Sequence, residues 1–132
     1  MKVLVDTCVW SQSLKNKNPN IELANKLKDL ITDGRIAMIG PIRQELLSGI
    51  SDTKQFEKLK EKLLFYEDIP LRSEYFVKAA EFNNTCRNNG VQGSTTDFLI
   101  CAVAHLENLF IFKRLRPNAC INQDLHLFLA FL

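Results

Sequence analysis

The chain has 132 residues, 46% of them hydrophobic and nine of them Phe, which is enough for one real core and too little for two, so residues 1–132 are expected to form a single domain. Seventeen Lys and Arg stand against 15 Asp and Glu, a formal charge of +2, which excludes a polyanion binder working by bulk charge; any nucleic-acid footprint must come from local clusters. No apolar stretch reaches the roughly 20 residues of a membrane-spanning helix.

The first expected element is the apolar, β-branched run Val3, Leu4, Val5, which suits a central parallel strand covered on both faces and stops at Asp6. Val9, Trp10 and Leu14 then give a short helical stripe, and residues 15–20 are a polar loop. Leu23, Leu27, Leu30 and Ile31 predict a helix over 22–31, ended by Asp33-Gly34. A second strand is expected at 36–39, broken by Gly40-Pro41, with Pro41 opening a helix that carries Ile42, Glu45, Leu46 and Leu47.

An amphipathic helix at 56–64 follows, then a short third strand at 65–69 before Pro70. Residues 73–87 read as a helix with Phe76, Ala79, Ala80 and Phe82 toward the core. After the Asn88-Asn89-Gly90 turn comes the most apolar helix, 98–106, and then a fourth strand at 109–112. Strands alternating with helices point to an α/β fold with a helix-covered, mostly parallel sheet. Ligands of such sheets bind beyond the carboxyl ends of the strands, which is where Asp6 falls.

Cysteines at 8, 86, 101 and 120 form no C-x-x-C pair and have no histidines at zinc-finger spacing. With a start of MKVLVD that lacks an apolar leader, reduced and mostly buried thiols in a cytoplasmic protein are the expectation.

Three carboxylates stand out. Asp6 ends the first strand, Glu45 lies about one turn into the helix after the second, and Asp97 completes a Ser94-x-x-Asp97 capping box at the mouth of the apolar helix. Taken singly, each is an ordinary helix-terminal acid. Converging, they would repel one another unless compensated, and a hard divalent cation with oxygen ligands, Mg²⁺ or Mn²⁺, is the natural compensator. The site that follows is hydrolytic, since such a cation neutralises charge on a phosphoryl group.

LVDTCVW at 4–10, IGPIRQELLSG at 39–49 and GSTTDFLICAVA at 93–104, in this order, resemble the PIN-domain ribonucleases, especially the VapC-type toxins of toxin–antitoxin pairs. The resemblance implies a three-layer α/β/α sandwich and a Mg²⁺- or Mn²⁺-dependent endoribonuclease acting on transfer, ribosomal or messenger RNA. It also implies a homodimer and a cognate antitoxin protein. Asp6, Glu45 and Asp97 match three of the family's four acidic positions, as catalytic and metal-holding residues, and Thr7 matches the hydroxyl beside the first acid. The chain departs from the family in its tail, about 113–132, where KRLRPNACI precedes Asn122-Gln123-Asp124. Three alternatives stay open: Asn122 ligates through its carbonyl, Asp124 substitutes, or three acids suffice. A catalytically weak or inactive PIN-like protein acting as an interaction module is the second reading.

Substrate phosphates call for cations near the acids, for which Arg43, Lys113, Arg114 and Arg116 are the candidates, with hydroxyls from Thr7, Ser94 and Thr96. His105 and His126 are not placed as catalysts, and Trp10 is expected in the core or an interface. A phosphatase-like or receiver domain would also place an Asp at a strand end, but would want a second early acid, and position 8 is Cys.

Overall fold

The computed structural model describes residues 2–14 and 18–113. Strand β1 (Val3–Val5) lies between β2 (Ile36–Ala37) and β3 (Phe110–Phe112), all parallel, in the order β2-β1-β3. Burial of all three β1 side chains explains the continuous apolar run: Leu4 and Val5 have no exposed surface, because helices cover both faces. The result is the mixed α/β fold with a helix-flanked parallel sheet that the alternating pattern predicts.

Among the described residues six helices accompany the strands: α1 (Thr7–Leu14), α2 (Ile21–Thr32), α3 (Gly40–Ser48), α4 (Thr53–Leu63), α5 (Ser73–Asn88) and α6 (Thr95–Glu107). Local chemistry sets their starts. The Asn20 side chain accepts the Leu23 N–H to cap α2, Asp52 does the same for Lys54 at α4, and Pro41 occupies the first turn of α3, where a missing donor costs nothing. α6 is apolar all round and accordingly buried without interruption from Phe98 to Ala104, packed against α5 and next to β3. Trp10 is buried and meets Tyr66 edge-on at 5.8 Å, a core role.

Two expectations fail. The third strand at 65–69 is replaced by a turn and a single parallel bridge, Met38 to Asp68. The cause is Arg43 on α3. Its Nη1 donates to the Leu63 carbonyl at 2.8 Å and its Nη2 to the Tyr66 carbonyl at 2.5 Å, while Nε and Nη2 both reach Asp68 Oδ1, at 3.1 and 2.9 Å. Within the segment, the Tyr66 carbonyl and the Asp68 carboxylate are held by the guanidinium rather than by a neighbouring strand.

The second failure is half of the core face of α5: Ala79 and Phe82 turn inward as expected, but their companions are Tyr75 and Cys86, a helical spacing that leaves Phe76 half exposed and Ala80 in solvent. Tyr75 anchors that face by donating its hydroxyl proton to Glu107 at the end of α6.

The Arg43 fork gives a stability prediction. Arg43→Lys keeps the charge but cannot serve two carbonyls and a carboxylate together, and should cost about 1.5–3 kcal/mol in urea unfolding with an unchanged m-value. A loss under about 0.5 kcal/mol would show that solvent satisfies those carbonyls equally well.

Candidate functional site

Parallel pairing sends the carboxyl ends of all three strands to one edge. Val5 of β1 is in register with Phe112 of β3, and the Asp6 N–H donates to the Phe112 carbonyl at 3.0 Å. The residues that follow the two strands, Asp6 and Lys113, are therefore brought side by side. α6 leads through a left-handed Asn108 directly into the parallel β3, so it runs back along the sheet and its first turn, with Asp97, comes to the same edge.

Asp6 is the one buried charged residue among the described residues, 7% exposed. Its carbonyl accepts the Val9 and Trp10 N–H groups at the start of α1, and the backbone N–H groups of Cys8 and Thr7 favour the charged form of its carboxylate. Burial nonetheless pushes its carboxyl above the ordinary 3.8; the Lys113 ammonium pulls it back, the Asp97 charge raises it further, and the two N–H bonds lower it. Desolvation wins.

Asp97 divides its two oxygens. Oδ2 accepts the Ser94 N–H at 3.1 Å, Ser94 Oγ accepts the Asp97 N–H at 3.1 Å, and Oδ1 faces Lys113 Nζ at 3.8 Å. The capping box expected from Ser94-x-x-Asp97 is formed, and only one of the two oxygens belongs to it. Gly93 makes room beside it: a Cβ there would stand 3.0 Å from the Phe98 ring and 3.7 Å from Asp97 Oδ2.

Glu45 reaches the edge from α3, where its Oε2 accepts the Thr7 hydroxyl proton at 2.8 Å. That bond ties it to the residue after Asp6. However, among the described residues no three His, Cys, Asp or Glu side chains gather closely enough to hold one ion. What stands at the edge is the Asp6 and Asp97 pair, with Glu45 one hydroxyl away.

Of the other expected site residues, Arg43 is the clamp described above and Ser94 is the cap of α6, so each has a structural partner. Thr96 is partly buried in the first turn of α6. Arg114, Arg116, Asn122, Asp124 and His126 lie outside the described residues, as does Cys120. His105 is exposed and edge-on to Phe82, with no part in the acidic edge.

Cys8, Cys86 and Cys101 are free thiols, and burial pushes Cys101 up to about 12, which leaves it protonated and inert. The part that sequence reasoning assigned differently is Lys113, expected on substrate phosphate and found against Asp97. Its signal was the register of two parallel strands, which a single sequence does not print.

A divalent cation fits this donor set in a limited way. Mg²⁺ commonly takes only one or two carboxylates and keeps several waters, so Asp6 and the outward oxygen of Asp97 are chemically adequate ligands. Lys113 already supplies part of the compensation such an ion would give.

The family description for the PIN domain matches residues 3–114. Seven solved chains are similar in structure. A crystal structure of FitAcB from Neisseria gonorrhoeae aligns at a TM-score of 0.70 and 22% identity over 85% of this chain and 86% of that one. VapBC2 from Rickettsia felis, bound to a DNA fragment from its promoter, aligns at 0.67 and 23% over 84% and 85%. No curated protein sequence is significantly similar.

The buried acid sets the expected pH response. A carboxyl raised in the folded state holds its proton more tightly there than in the unfolded chain, so its contribution to stability is lost as pH rises from about 3.8 through the folded value. Asp6→Asn in EDTA should therefore raise the melting temperature at pH 7 by about 2–6 °C, with the gain fading below pH 4. A fall at pH 7 would mean that Lys113 and the two backbone donors outweigh desolvation.

Proposed function

The chain belongs to the PIN-domain family, and we propose that it is a toxin–antitoxin-type PIN protein that engages RNA and a cognate antitoxin, with a weakened hydrolytic site. One observation carries this reading: the acidic edge is a two-carboxylate pair facing an ammonium, with no third ligand completing a group among the described residues. The similarity to FitAcB and VapBC2 supports the antitoxin as partner and nucleic acid as ligand. A homodimer is proposed from the family resemblance alone. No helix among the described residues is long and apolar enough to cross a membrane.

The fully active Mg²⁺- or Mn²⁺-dependent endoribonuclease is the second reading, and the burial of Asp6 beside Asp97 favours it, because negative charge held out of water invites a cation. When bound, the ion would neutralise charge on the phosphodiester and acidify attacking water. The chain's own part would be holding that ion with Asp6 and Asp97. Glu45, fixed by the Thr7 hydroxyl, would orient water at the pair. Such hydrolysis leaves a 5′-phosphate and spares the RNA 2′-hydroxyl as nucleophile.

A fluorescent single-stranded RNA panel and total transfer RNA, incubated with Mg²⁺, Mn²⁺ or EDTA, separate the readings. RNA should bind, by anisotropy, with cleavage close to the Asp6→Asn and Asp97→Asn baselines. Rapid cleavage by the wild type, dependent on the cation and lost in both variants, would establish the active endoribonuclease and overturn the weakened-site reading.

A further inference from the structure

The side chain of Lys113 is only 19% exposed and that of its partner Asp97 25%, so this is a half-desolvated pair rather than a surface one. The lysine is also delivered by the sheet. It follows Phe112, the register partner of Val5, and so stands beside Asp6, whose charge it compensates more strongly than Asp97 disturbs it. Its contact is with Oδ1, the Asp97 oxygen that the capping box leaves free. That oxygen and the Asp6 carboxylate are the same atoms that a divalent ion at this edge would need.

We propose that Lys113 is a built-in counter-cation of the Asp6 and Asp97 pair, competing with a divalent ion for the same carboxylate oxygens and thereby setting the affinity of the site. The proposal rests on the reading of Asp6 and Asp97 as cation ligands. A lysine kept for substrate phosphate would be expected to leave the acids to the metal. This one is engaged with them, and an ion of charge +2 entering between them must either displace the ammonium or bear its repulsion.

The test is a titration of the full chain with Mn²⁺ alone, with free ion read from its paramagnetic resonance signal, for wild type, Lys113→Met, Lys113→Arg and Asp97→Asn. Met keeps the length of the side chain without its charge, Arg keeps the charge, and Asn at 97 keeps an acceptor for the capping bond. Circular dichroism in EDTA confirms that each variant is folded.

The expected result is Mn²⁺ binding at least about fivefold tighter in Lys113→Met, within about twofold of wild type in Lys113→Arg, and lost in Asp97→Asn. Unchanged or weaker binding in folded Lys113→Met, with binding still lost in Asp97→Asn, overturns the competition and leaves the acid pair standing as ligands. Failure of every folded variant, wild type included, to take up Mn²⁺ overturns the acid-pair reading and the competition with it.

Discussion

Everything at the acidic edge depends on one register. Val5 opposite Phe112 makes Asp6 the successor of the central strand and Lys113 the successor of its neighbour, at one level of one edge. A slip of one residue would invert every side chain of β3 across the sheet, removing the lysine from the acid and turning the partly buried Ile111 and Phe112 to the opposite faces. The apolar packing that fixes the strand thus also fixes the charge pair. Since β1 is short and wholly buried, it has no slack in which to shift.

Arg43 shows how far a neighbour can redirect a segment whose own pattern reads otherwise. Residues 65–69 carry the composition of a strand, and the sheet edge beyond β2 offers it a place, as the Met38 to Asp68 bridge shows. Yet a guanidinium donating to two carbonyls and a carboxylate makes charge-assisted bonds that a strand pairing cannot match at the same atoms. The cation nearest Glu45 in sequence is consequently spent on tertiary structure.

The local patterns were legible in the sequence: the buried strand in Val3 to Val5, the capping box in Ser94 and Asp97, the all-apolar α6. Each is written within a few neighbouring residues. On α5, Ala79 and Phe82 were legible as core, but Phe76 and Ala80 are as apolar as they are, and only the partner helix decides that Tyr75 and Cys86 turn inward in their place. The placement of Asp6 and Asp97 at one edge was legible because strand ends and helix mouths meet there in a parallel sheet. Lys113 against Asp97, and Glu45 against Thr7, are long-range contacts between residues 16 and 38 positions apart, and no periodicity encodes them.

Three agents can relieve a carboxylate held out of water: a proton, a resident cation of the chain, or an ion from solution. They make exclusive claims on the same negative charge, so strengthening one weakens the others. The proton's claim grows with burial, which is why Asp6 binds it more tightly than a free carboxyl does. Lys113 makes its claim without having to diffuse in, because the backbone of β3 holds it at high local concentration beside the pair. An entering divalent ion therefore gains only the difference between its own attraction to Asp6 and Asp97 and the attraction already satisfied by the lysine. On the proposed competition, cation affinity at this edge would be set by that difference rather than by the number of acids.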